Sequence, residues 1–321
     1  MADTDHLLTS LDARALRRAD RRNFFTSSAT ASALAGGFVL AAKPEAAHAQ
    51  SAPSDADILN FALNLEYLEA QFYLFAATGA GLPSASTSGT TGTPGEATGG
   101  RRVAFTDPAV AQYAREIAAD EKAHVNFLRT ALGNSAVAQP AIDIGATPDG
   151  AFSTAARAAG LIGPGAAFDP YASDENFLLA AYIFEDVGAT AYKGASPLLS
   201  NKTFLEAAAG ILAVEAYHAA LVRTTLYAKG LETPSLIDAS EAISAARDSL
   251  DGTAELDQGL RPRSPSGSPT ASNIAPLDEN GIAYSRSAGQ VLNIVYLNNT
   301  AVTSGGFFPN VNGTLRMSAA N

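Results

Sequence analysis

Glu121 and His124 stand three apart in DEKAHVNFLRTAL, and Glu215 and His218 repeat that spacing in VEAYHAALVRTTL. Residues three apart share one face of an α-helix, so each pair offers a carboxylate and an imidazole to one cation. Each pair follows an apolar stretch that holds a further glutamate, Glu66 in LNLEYLEAQFY and Glu185 in AYIFEDVGATAY. Four carboxylates and two imidazoles converging from four helices form a ligand set for two iron or two manganese ions. Such a pair of ions exchanges two electrons with oxygen, peroxide or Fe(II) without a thiol or an organic cofactor. The chain has four histidines, and two of them occupy these matched settings.

The competing reading is that Glu-x-x-His is an ordinary pair on a solvated helix face. The neighbours oppose it. Glu66 sits among Ile58, Leu59, Phe61, Leu63, Leu65 and Leu68, and Glu185 follows the apolar run from Phe177 to Phe184. A carboxylate in such surroundings must be paired, protonated or bound to metal.

The two halves correspond beyond these residues. Arg129 aligns with Arg223, Leu132 with Leu226 and Tyr73 with Tyr192, which reads as a duplicated helix pair. The tyrosines suit either core packing or hydrogen bonds to ligand carboxylates. Glu69, one turn after Glu66, has Gly188 as its counterpart. It reads as an extra ligand, a shifting carboxylate or a hydrogen-bond acceptor behind the ligands.

Four long helices must carry these residues. Ser54 and Asp57 have capping-box spacing for a first helix reaching about Thr78. Thr106-Asp107-Pro108 opens a second, closed by Gly133. A third starts at Ser173 or Asp174 and ends near Gly194, and a fourth runs from Asn201 to Gly230. Residues 79–100, rich in Gly, Ser, Thr and Pro, read as a mobile surface loop. A long connection over 134–172 contains a short helix at Ser153–Leu161. Leu236–Leu250 reads as a further helix, RPRSPSGSPTASN as a linker and Val291–Leu297 as a strand or buried extended segment. Phe307 and Phe308 are expected to dock on the bundle. The expected organisation is a bundle over 50–232 and a C-terminal extension over 233–321.

Net charge is −11, which disfavours nucleic acid and anionic membranes as partners. Zero cysteines among 321 residues exclude disulfides and thiolate sites, so metal must rely on oxygen and nitrogen donors. Residues 1–49 read as an export signal: DRRNFFT resembles a twin-arginine motif, and Ala47-His48-Ala49 fits a cleavage site. The apolar stretch Ser28–Ala42 is too short and diluted for a membrane span. A periplasmic or secreted location follows as an expectation. The expected partner is a small oxidant or a metal ion, with a homodimer left open.

LNFALNLEYLEAQFY, DEKAHVNFL, FEDVGATAY and VEAYHAALVR together resemble the exported ferritin-like domain proteins related to plant desiccation-related proteins. The resemblance covers Asp55 to about Gly230, and VLNIVYL…GGFFPN is similar to the tail of that group. It implies an all-α, ferritin-like four-helix bundle with a long crossover between the second and third helices and a small irregular or β C-terminal appendage. It implies metal ligation by Glu66, Glu121, His124, Glu185, Glu215 and His218. In the D-E-x-x-H form Asp120 supports the histidine of the opposite motif, here His218, although its repeat counterpart is Val214. The group implies a stress role rather than one reaction. A di-metal oxidoreductase of ferroxidase or catalase type and a non-catalytic desiccation scaffold with a structural or vestigial metal site both fit. An iron-storage cage is disfavoured by the long loop and the appendage.

Overall fold

Side-chain caps set where the four long helices begin. The computed structural model describes residues 52–264 and 269–321. The expected export signal and part of the Pro/Ser linker lie outside the described residues. Helix α1 (Asp55–Thr78) starts in a capping box, with Asp57 N donating to Ser54 Oγ at 3.2 Å and Ser54 N to Asp57 Oδ2 at 2.9 Å. It ends at Gly79, whose φ of 86° is the left-handed turn that favours glycine. A four-residue helix, α2 (Ser84–Thr87), leads to α3 (Pro108–Leu132), capped by Asp107. The crossover holds α4 (Ala151–Ala158). Helix α5 (Asp174–Ala195) is capped by Ser173 and α6 (Lys202–Glu232) by Asn201. Beyond these lie α7 (Ser235–Asp251) and α8 (Ala288–Tyr296).

Contacts between helix ends fix the topology. At one end, Asn60 near the start of α1 donates to Ser135 O just past α3, and Ser200 N, before α6, donates to Asp55 Oδ1. At the other end, Lys229 of α6 bridges Asp107 and Glu175 at the starts of α3 and α5. The helices therefore run up, down, down, up. Helix α1 packs along α3 and α5 along α6, so the 134–172 crossover must travel the length of the bundle.

Burial differs between the pairs. Helices α3 and α6 bury one stripe at three- and four-residue spacing, Val110, Ala114, Ile117, Glu121, His124 and Leu128 in α3. Helices α1 and α5 are buried nearly all round because the crossover and the C-terminal extension cover their outer faces. Phe307 and Phe308 are fully buried, and Phe307 meets Phe152 and Phe184 edge-on at 5.0 Å between ring centroids. Only α6, among the described residues, is long and apolar enough to cross a membrane. Here it runs within the bundle.

Two expectations fail. Residues 288–296, read as extended over VLNIVYL, form a helix. A capping box between Ser287 and Gln290 nucleates it, and burial of Val291 to Tyr296 on every side erases the periodicity that separates helix from strand. The 79–100 loop is stitched down rather than free. Its β1 (Ala97–Thr98) pairs in parallel with β2 (Ile142–Asp143) of the crossover, with Gly95 and Gly99 so close to that chain that a Cβ would lie 2.2 and 2.3 Å from it. Asn312 of the tail ties the same loop to α1 through Thr93 O and Asn64.

Candidate metal centre

Four helices deliver seven ionisable side chains to one buried cluster. Glu66 and Glu69 come from α1, Glu121 and His124 from α3, Glu185 from α5, Glu215 and His218 from α6, and none is more than 9% exposed. His124 Nδ1 stands 3.2 Å from Glu66 Oε2, 3.6 Å from Glu121 Oε2 and 3.9 Å from Glu215 Oε1. His218 Nδ1 stands 3.1 Å from Glu121 Oε1 and 3.6 Å from Glu185 Oε2. Glu121 thus turns one oxygen to each histidine. Candidate ligand atoms of Glu66, Glu121, His124 and Glu215 lie within 4.8 Å of one another, as do those of Glu69, Glu185 and Glu215.

Both oxygens of Glu121, Oε2 of Glu66, Glu69, Glu185 and Glu215, and Nδ1 of both histidines are buried without a hydrogen-bond partner among the described residues. Buried polar atoms without partners are costly, and these all belong to one cluster. A divalent cation would satisfy them. The donors are oxygen and imidazole nitrogen with no thiolate, the chemistry that iron and manganese accept.

Electrostatics give the same account. Burial, with repulsion from Glu121, raises Glu66 to about 7, and burial raises Glu185 to about 8. Burial and the surrounding carboxylates push Glu69 and Glu215 well above the usual range. Burial also opposes charge on Glu121, but the imidazoles of His124 and His218 facing its two oxygens outweigh it and hold its carboxyl at about 2. Burial lowers the histidines, yet the facing carboxylates raise His124 to about 11 and His218 to about 9. Without metal, the centre must hold protons in place of cations.

The supporting groups are reciprocal. Tyr73 of α1 donates to Glu185 Oε1 of α5, and Tyr192 of α5 donates to Glu66 Oε1 of α1. Asp120 Oδ2 lies 3.2 Å from His218 Nε2, which leaves Nδ1 facing the cluster. Asp120 is half-exposed, so this side of the centre approaches the surface.

Sequence reading missed a second buried constellation behind Glu185. Arg223 Nη1 donates to Asp186 Oδ2 at 2.8 Å and Arg247 Nη2 to the same oxygen at 3.0 Å. Arg247 also reaches Asp257 Oδ1 at 2.7 Å, and Arg286 bonds Asp257 and Asp251 at 2.9 and 2.6 Å. Arg223 further donates to the carbonyls of Gly259 and Asn273. Three guanidinium groups and three carboxylates thereby tie the extension to the residue next to Glu185. The signal available was Arg223 itself, an arginine on the apolar stripe of α6. Its repeat counterpart Arg129 is only half-buried and meets Tyr67 Oη and Ser88 O.

A four-helix bundle with a buried carboxylate–imidazole cluster able to hold metal defines the class of protein. The family model described as "Ferritin-like domain" matches residues 54–228, more than half the chain. The chain belongs to the ferritin-like, desiccation-related family. It is 30% identical over 246 residues to the Desiccation-related protein PCC13-62 of Craterostigma plantagineum, covering 74% of this chain and 76% of that protein. It is 29% identical over 264 residues to the Ferritin-like catalase Nec2 of Nesocodon mauritianus, covering 80% of this chain and 83% of that protein. No solved structure matches the chain significantly.

Proposed function

We propose that this protein is an exported di-metal carboxylate oxidoreductase that binds two iron or manganese ions and acts on peroxide, oxygen or Fe(II) in stress protection. The observation that carries the reading is the set of eight buried, unpartnered donor atoms that belong to one cluster. Similarity to a protein named a ferritin-like catalase supports peroxide as the first substrate to try. Glu66, Glu121, His124, Glu185, Glu215 and His218 would hold the ions, which supply two-electron exchange with a small oxidant. The chain supplies the rest. Tyr73 and Tyr192 orient Glu185 and Glu66, and Asp120 accepts from His218 Nε2 and so presents Nδ1 inward. The apolar walls of α1 and α5 keep bulk water away from the carboxylates.

The test is metal analysis combined with peroxide-turnover and Fe(II)-oxidation assays on iron- or manganese-loaded protein. Wild type is expected to turn over one of these substrates, and a Glu121→Ala/Glu215→Ala variant is expected to lose that activity. Two bound metals with no redox turnover would favour a non-catalytic scaffold, the reading in keeping with the similarity to a desiccation-related protein.

A further inference from the structure

The duplicated halves are unequal at one place, and that place faces the centre. Glu69 follows Glu66 by one helical turn. Glu66 is satisfied on one oxygen by Tyr192 and faces His124 with the other. Glu69 is 6% exposed, and among the described residues no donor reaches its Oε2. Its oxygen lies instead within 4.8 Å of oxygens of Glu185 and Glu215. Three carboxylates at that separation in a buried setting repel one another unless a cation or protons stand between them.

The counterpart of Glu69 in the second half is Gly188. A Cβ built there would lie 2.1 Å from Glu215 Oε2 and 3.6 Å from Glu69 Oε1. Glycine in the middle of a helix is less favourable than alanine, so its place in α5 calls for a reason. The reason is room: one half contributes an additional carboxylate, and the other removes a side chain where that carboxylate and Glu215 meet. A small cavity lined by Leu65, Leu68, Val187, Ile294 and Phe307 adjoins Glu69 and Gly188. Its walls are apolar and offer Glu69 no alternative partner.

We infer that Glu69 is a metal ligand, completing with Glu185 and Glu215 the position on the His218 side and making the two cation positions chemically unequal. The first position has His124, Glu66, Glu121 and Glu215. The second has His218, Glu185, Glu215 and the other oxygen of Glu121, and Glu69 gives it one carboxylate more than the first. This rests on the two-metal reading and specifies its ligand set.

The experiment is calorimetric titration of the metal-stripped chain with manganese(II) chloride, with free Mn(II) followed by electron paramagnetic resonance. Wild type is expected to take up two ions in two steps of different affinity. Glu69→Gln, which keeps the side-chain volume, is expected to weaken one step by about tenfold or more and leave the other unchanged. Glu66→Gln is expected to weaken the step that Glu69→Gln leaves alone. Gly188→Ala provides a second variant, since alanine favours the helix yet displaces the Glu215 carboxylate, and it is expected to lower affinity as well. Identical isotherms for wild type and Glu69→Gln, with two ions bound in each, would overturn the inference and leave the two-metal reading standing. No uptake of Mn(II) by wild type would overturn both.

Discussion

Replacing Tyr192 by Phe removes one oxygen atom and tests how the ligand carboxylates are held. Tyr192 is buried, and the ring remains in the variant, so packing is conserved. What is lost is the hydrogen bond from its hydroxyl to Glu66 Oε1. A hydrogen bond to a charged acceptor contributes about 1.5–3 kcal/mol. Taken entirely from ion binding, that is roughly a 10–100-fold loss of affinity, the range typical of groups that support metal ligands. Tyr73→Phe removes the matching bond to Glu185 Oε1 and is expected to weaken binding comparably, on the opposite side of the centre. The assay is competition of each variant with a chelator for Mn(II), with thermal melts of the metal-free proteins alongside. Affinity that stays at the wild-type level in both variants would refute the claim that the tyrosines orient the ligands. Such a result would leave them as core residues.

Phe307→Ala is expected to destabilise the protein by about 3–5 kcal/mol in denaturant titration, because its ring fills the space between Phe152 and Phe184. Asp186→Ala removes the carboxylate shared by Arg223 and Arg247, and a loss of about 3 kcal/mol is expected from the same measurement. The metal-free protein is expected to melt at lower temperature as pH rises from 5 to 9. Glu66 and Glu185 sit near 7 and 8 against an ordinary 4.5, and His218 and His124 near 9 and 11 against 6.5. Groups raised by folding stabilise fully below their unfolded values, and that contribution is lost as pH climbs through the folded ones. Metal uptake at neutral pH should accordingly release protons, measurable as a buffer-dependent heat, and a melting temperature that rises with pH would contradict the scheme.

The four helices and their ligand spacing were legible because caps and apolar stripes are local signals. Ser54, Asp107, Ser173 and Asn201 mark helix starts within a few residues of chain. The direction of the bundle was also implicit, since a connection as long as 134–172 is needed to span its length. Helix α8 was not legible. Its β-branched residues are buried on every side, so composition pointed to a strand while the cap at Ser287 decided for a helix. The Asp186–Arg223–Arg247–Asp257–Arg286 network was hidden for a different reason: its members spread over about a hundred residues, and only the fold makes them neighbours. The tyrosines showed as a repeated pair, but a repeat does not reveal that each crosses to the other half's glutamate.

In the proposed centre, α1, α3, α5 and α6 bring their carboxylates and imidazoles together around two cations. Anomalous X-ray diffraction above and below the iron and manganese absorption edges, on crystals of metal-loaded protein, addresses it directly. Two peaks are expected, bounded by Nδ1 of His124 and Nδ1 of His218. An absence of anomalous signal there, or either imidazole turned away into solvent, would contradict the proposed centre.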